Sequence, residues 1–497
     1  MHAESGVEVS SARTTHDTQE KQCEFRQELG LRNLVMSQIL NIVGLFWVGV
    51  AARLGPSHVM FWLLGIVLFY LPSAVVVIYL NRVHPLEGGL YEWARLGFNP
   101  FLGFLVAWNM WLNMVAILSY AGLQSASMSS YLFGSHASFI AQNRWVLMFV
   151  TIAMMLGLTV ITSIGLKLAK WIQDLGGALL LIVFAALIAL PFRNAFIGRP
   201  TQYPPFTLSL PAISLLSLNL LGKMSFGAMS GFDGMSIFAG ECRDAAKSIG
   251  RSVVIATPII CAIFILGTSS IVALVPKDKI DLISPISQAL TLGTRAGDPG
   301  ASLIPLAIAA MLFAFIASSV LTFAMTTRLP LVAGWDSLLP VWFARLHPKR
   351  KTPTNSIIFV AVISTMMALF GILGSGQQEA FQLLQNSAGI FYAIAYLAMF
   401  ALVLFGKQRT IEKPPLWLQA AAISGLLMTG MYLVLSLFPI IEVSNPWIFT
   451  AKVGGFIVCC QLFAASLYYF NRRKQSAGEQ EIAPAATAPA LNGRDVA

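Results

Sequence analysis

Residues 215–240 read LLSLNLLGKMSFGAMSGFDGMSIFAG, a stretch apolar enough to lie in a bilayer that nevertheless carries Lys223, Asp233 and glycines at 227, 231, 234 and 240. A charged side chain at the bilayer centre costs roughly 2.5 to 3.5 kcal/mol on insertion scales, and backbone loosened by glycine needs polar partners that lipid does not supply. Such a segment survives only where it faces protein or a watery cavity. It is therefore expected to line a pathway through a bundle of membrane spans.

The rest of the chain supplies that bundle. Of its 497 residues, 57% are hydrophobic and only 11% are charged, too few for a soluble domain of this length. Runs of about 20 apolar residues bounded by polar or Pro/Gly-rich punctuation give about twelve candidate spans. They are Leu31 to Leu54, Val59 to Leu80, Phe101 to Phe133, Trp145 to Ile164, Leu168 to Leu190, the Leu215 stretch, Ser252 to Val275, Leu303 to Thr326, Ser356 to Leu373, Ala380 to Leu404, Leu416 to Leu437 and Trp447 to Phe470. The expected class is an all-α polytopic membrane protein.

Summed over alternate loops, Lys and Arg fall roughly 23 on the side of the termini against about 8 opposite, and Lys223 completes the 32. Both termini are expected in the cytoplasm of a cell membrane. The net charge of +10 follows from this asymmetry and does not point to nucleic acid, because no basic stripe sits on a soluble domain. Residues 1–30 are polar and lack an apolar core segment, so no cleaved signal peptide is expected and the first span directs insertion. The tail from 472 to 497, rich in Ala and Pro beyond Lys474, reads as disordered. Five cysteines without a CxxC pair and six scattered histidines give no metal site or disulfide framework, and no cofactor is expected. Lys223, ten residues before Asp233, is expected to snorkel outward rather than to pair with it.

Two interruptions correspond. Asn41-Ile42-Val43-Gly44 falls near the middle of the first span, and Ser230-Gly231-Phe232-Asp233-Gly234 near the middle of the sixth, so each opens a block of five helices. That pattern signals an inverted repeat, and half-helix ends at such breaks present free N–H and C=O groups at membrane depth. Glycine also serves close helix packing, which is the favoured reading for Gly44 alone, whereas Asp233 amid three glycines favours a site in the sixth span.

The residues then carry a resemblance. Phe226 to Glu241, FGAMSGFDGMSIFAGE, is similar to the sixth-helix signature of the amino acid–polyamine–organocation (APC) superfamily of permeases. Pro85-Leu86-Glu87-Gly88-Gly89-Leu90-Tyr91-Glu92-Trp93, continuing through Gly103 to Trp108, resembles the loop after the family's second helix. Thr327-Arg328-Leu329-Pro330, onward to Asp336-Ser337-Leu338-Leu339-Pro340, His347-Pro348 and Thr352-Pro353, resembles the loop after its eighth. The resemblance implies ten core helices over 31–405 in two inverted halves, 31–190 and 215–405. Two peripheral helices follow over 416–471, and helices one and six are discontinuous around the substrate, as in LeuT-like folds.

By the same resemblance Ile42, Val43, Gly44 and Leu45 offer main-chain groups to substrate, although the family's Gly-Ser-Gly run is reduced to Gly44. Ser230, Gly231, Phe232 and Asp233 form the matching side, with Asp233 either the proton-coupling acid or a fixed counter-charge for a cationic substrate. Gly227 stands where the arginine/agmatine antiporter has an aromatic gate, so another side chain must close the pocket, and Phe226 is the candidate. Asn113 and Met114 face the pocket from the third helix. Ser318, Ser319 and Thr322 offer hydroxyls to substrate or sodium from the eighth, and Tyr392 and Asn386 lie on the tenth. Glu241 with Arg95 or Arg328 is a candidate inner gate. The implied function is secondary active transport of an amino acid, by proton or sodium coupling or by exchange, with no covalent chemistry. A polyamine or cationic amino acid carrier is the alternative, Phe232-Asp233 being similar to polyamine-type members, and a non-transporting solute sensor is the alternative of another class. The chain is expected to work as a monomer or homodimer in the bilayer.

Overall fold

The computed structural model describes residues 29–482 except 84–88, 135–136, 200–208, 210–211, 243–244, 296, 299, 334, 336–341, 344, 349, 351, 375, 407–413, 442 and 444. Among the described residues ten helices are long and apolar enough to cross a membrane. We number them with the two broken spans in chain order. α1 consists of Leu31–Ile42 and Trp47–Ala52, and α2 covers Gly55–Val83. α3 is Pro100–Phe133, α4 Arg144–Ile164 and α5 Leu166–Phe196. α6 runs as Leu215–Gly222, a π-helical turn Lys223–Gly227 and a 3-10 segment Phe232–Glu241. α7 is Ala245–Leu274, α8 Ile304–Val332, α9 Thr354–Gly374, α10 Gln377–Phe405, α11 Leu416–Leu435 and α12 Pro446–Ile482.

Among the described residues each of the twelve expected spans has a helical counterpart, ten continuous and two interrupted. Their ends follow local chemistry. Asn99 caps α3 by accepting the amide of Leu102 at 2.9 Å, with Pro100 in the first turn where a missing N–H costs nothing. Asn143 caps α4 by the same means, accepting from Trp145 at 2.9 Å. The last helix continues to Ile482, into the stretch read from sequence as tail, and 483–497 lie outside the described residues, as do 1–28.

α3 and α10 pack along each other at the centre, α5 lies against α8, and α11 covers α10. Large apolar side chains on α4, α9 and α12, such as Phe149, Phe370 and Leu462, remain exposed on the outside of the bundle, where lipid rather than water is the solvent. α2 carries a second π-helical turn, Ile66–Tyr70, packed against that of α6. A Cβ on Gly65 would stand 3.3 Å from the Cα of Ser225, so glycine lets the two backbones approach there.

Candidate functional site

Both interruptions fall within a residue or two of where the glycine pattern predicts them. Among the described residues, the amide of Gly44 in α1 bonds back only to the carbonyl of Ile42, at 2.8 Å, and the amides of Leu45 and Phe46 at the start of the second half make no backbone hydrogen bond. The carbonyl of Leu40, freed at the end of the first half, accepts the Ser318 hydroxyl from α8 at 2.9 Å. In α6 the break lies at Ser230 and Gly231. Gly231 adopts φ +127°, a conformation that L side chains rarely reach. Its amide donates to the Tyr396 hydroxyl at 3.1 Å and its carbonyl accepts from Asn41 Nδ2 at 3.0 Å. A Cβ on Gly231 or Gly234 would stand 2.9 or 3.0 Å from that same Asn41 nitrogen, so the two glycines form the slot that seats Asn41.

Between the breaks lies a chamber of about 140 Å³. An apolar cavity of roughly 150 Å³ holds a molecule the size of benzene, so this one suits a single small solute. Ile42, Val43, Gly44 and Leu45 line it from α1, and Phe226, Ser230, Gly231 and Asp233 from α6. Asn113 and Met114 line it from α3, as do Ser318, Ser319 and Thr322 from α8 and Tyr392 from α10. The Ser319 and Thr322 hydroxyls donate to carbonyls of their own helix, at Phe315 and Ser318, which leaves their oxygens only as acceptors toward the chamber.

Asp233 is 2% exposed. Its Oδ1 accepts from the Tyr392 hydroxyl at 2.5 Å and from the Tyr396 hydroxyl at 2.7 Å, while Oδ2 is buried with no partner among the described residues. Two fixed donors on one oxygen set the orientation of the carboxyl group. The other oxygen is left for a proton or a cationic group, since an unpaired buried charge is among the most costly features a fold can carry.

Three placements differ from the sequence reading. Phe232 does not reach the chamber. It stacks on Tyr70 of α2 with ring centroids 4.7 Å apart, because the 3-10 winding after Gly231 turns it outward while turning Asp233 inward. The space beside Gly227 is filled by Trp47, whose ring carbon Cη2 stands 2.5 Å from where a Cβ would be, whereas Phe226 packs into an aromatic cluster with Phe69, Tyr396 and Tyr432. Lys223 does not snorkel. It is fully buried, with Nζ donating to Asn386 Oδ1 at 2.6 Å and lying 5.9 Å from the Tyr432 ring centroid, since α10 and α11 close over it and supply acceptors. Of the candidate inner gate, Arg95 pairs with Glu92 at 2.8 Å, Arg328 lies over the Phe238 ring at 5.5 Å, and the side chain of Glu241 falls outside the described residues. Trp47, Asn41 and Tyr396 were missed. Only the i, i+4 pairing of Tyr392 with Tyr396 signalled any of them, as a polar stripe on an otherwise apolar span.

The model of a family described as amino acid permease matches residues 30–467. An uncharacterised transporter of Legionella pneumophila is 24% identical over 454 residues, which cover 90% of this chain and 93% of that protein. The "Probable agmatine/putrescine antiporter AguD" of Lactococcus lactis is 21% identical, over 84% of this chain and 87% of its own length. A crystal structure of MhsT in complex with L-phenylalanine superposes with a TM-score of 0.57 at 14% identity, covering 83% of this chain and 99% of that one. The shared feature is the fold, a LeuT-like bundle with discontinuous α1 and α6.

Proposed function

This chain belongs to the amino acid permease family, and from that premise we propose that it carries an amino acid across the cell membrane by alternating access, with Asp233 as the proton-coupling acid. The observation that carries the reading is the pair of interrupted helices facing one small chamber, with the unpartnered oxygen of Asp233 between them. The free amides of Leu45 and Phe46, at the positive end of a half-helix, suit a carboxylate. Ile42, Val43, Gly44, Asn113, Met114, Ser230 and Gly231 complete the wall.

Proton coupling is favoured over sodium because the Ser318 hydroxyl is already committed to the Leu40 carbonyl and because, among the described residues, Asp233 is the single carboxylate lining the chamber. Lys and Arg crowd the termini side, which supports cytoplasmic termini.

A second reading, a carrier of cationic amines, is favoured by Asp233 itself and by likeness to a protein named as an agmatine/putrescine antiporter. In proteoliposomes Asp233→Asn is expected to abolish uptake driven by an imposed pH gradient while counterflow of substrate at equal pH persists. Gradient-driven uptake at the wild-type rate in that variant removes Asp233 from the coupling step.

A further inference from the structure

Lys223 has no role in the mechanism above, yet it is the second formal charge buried on α6. It is fully buried, and among the described residues no carboxylate pairs with it. What surrounds it is partial negative charge. Asn386 Oδ1 accepts from Nζ at 2.6 Å, and Asn386 Nδ2 in turn donates to the carbonyl of Ser436, the residue that caps the C-terminal end of α11. One turn earlier on α6, Asn219 donates to the Leu435 carbonyl at 2.9 Å, so α6 is docked on the negative end of a helix dipole. The Tyr432 ring lies between this node and the chamber, which it lines, and its hydroxyl fits only because position 389 is glycine, where a Cβ would stand 1.7 Å away.

The acid and the base of α6 are held by a single stripe of α10. Asn386, Gly389, Tyr392 and Tyr396 follow one another at helical spacing, the first binding Lys223 and the last two binding Asp233. Six residues of helix separate Asn386 from Tyr392, a rise of about 9 Å. With Lys223 protonated, the chamber lies in the field of a cation on the side of the α11 terminus and an acid toward the termini side. A zwitterion matches both poles at once. An amine without a carboxylate matches Asp233 alone, and the second ammonium of a diamine faces Lys223 with nothing to neutralise it.

We propose that Lys223 is the positive pole of the chamber, a specificity-determining residue that selects an amino acid over the amine left when its carboxylate is removed. This rests on the transport-site reading of the chamber. Two unit charges about 10 Å apart at an effective dielectric near 20 interact by an amount worth roughly tenfold in affinity.

The test is ligand competition on the purified full chain with pairs that differ only in the carboxylate: leucine with 3-methylbutylamine, arginine with agmatine, ornithine with putrescine. The wild type is expected to prefer the amino acid of at least one pair. Lys223→Met, which keeps the length and removes the charge, is expected to shift that preference toward the amine by about tenfold, and Lys223→Arg to retain it. Asn386→Asp, which places a carboxylate against an intact Lys223, is expected to shift it the same way as Lys223→Met and covers the case in which Lys223→Met does not fold. A wild type that prefers the amines, or folded Lys223→Met and Asn386→Asp variants with unchanged preference, overturns the inference alone. A wild type that binds neither member of any pair overturns the transport-site reading and this inference with it.

Discussion

Tyr396 joins the two halves of the candidate site, because its hydroxyl donates to Asp233 Oδ1 at 2.7 Å and accepts the Gly231 amide at 3.1 Å. Tyr396→Phe strands a buried amide and frees one side of the carboxyl group. The expected cost is about 1 to 3 kcal/mol, the usual penalty for an unsatisfied buried donor, read as a lower thermal midpoint in detergent together with slower uptake. A midpoint and rate equal to wild type would mean that the Gly231 amide finds another acceptor and that Tyr392 alone orients Asp233. Trp47 acts by bulk. Its ring fills the slot beside Gly227, so Trp47→Ala enlarges the chamber, and bulkier amino acids are expected to compete where they fail against wild type. An unchanged size limit in the competition series would place the steric boundary elsewhere.

At the level of helices, what decides the site is where α1 and α6 stop hydrogen bonding to themselves, and that was legible in the sequence because glycine and buried charge in an apolar run have few structural outcomes. The extents of the continuous spans were legible for the same reason, hydrophobic runs of membrane length. The winding after the break was not. Phe232 and Asp233 are neighbours, and the 3-10 turn that sends one to Tyr70 and the other to the chamber depends on tertiary partners from α2 and α10. Nor could spacing along α6 tell that α10 and α11 bury Lys223, since both partners lie more than 160 residues away in the chain. Gly231 tests the element directly. An alanine there meets both a forbidden φ and the Asn41 amide at 2.9 Å, so Gly231→Ala is expected to cost roughly 1 to 3 kcal/mol and to depress transport. Wild-type stability and uptake in that variant would show that α6 can rewind through residue 231.

Across the whole molecule the chamber is flanked by different contacts at its two ends. On the side away from the termini, Phe46 meets Tyr120 and Phe381 edge to face, with centroids 6.0 and 5.3 Å apart, a cluster of buried rings. On the side of the termini the contacts are polar. Asn41 and Gln38 of α1 hold the carbonyls of Gly231 and Phe232, at 3.0 and 3.4 Å, and ahead of α1 Leu29 forms an isolated parallel bridge with Cys242 just beyond α6. Alternating access requires that this pairing part each time the chamber opens toward the termini. Bridge partners lie about 5 Å apart, within the 4.4 to 6.8 Å that a disulfide spans between Cα atoms, so Leu29→Cys is positioned to couple to the native Cys242 under oxidation. Oxidised Leu29→Cys is expected to lose uptake in proteoliposomes and to regain it with a reductant. The same substitution combined with Cys242→Ser should show no loss. Full uptake by a population shown to be crosslinked would mean that substrate passes without α1 and α6 separating at this end, and the chamber would then open through some other pair of helices.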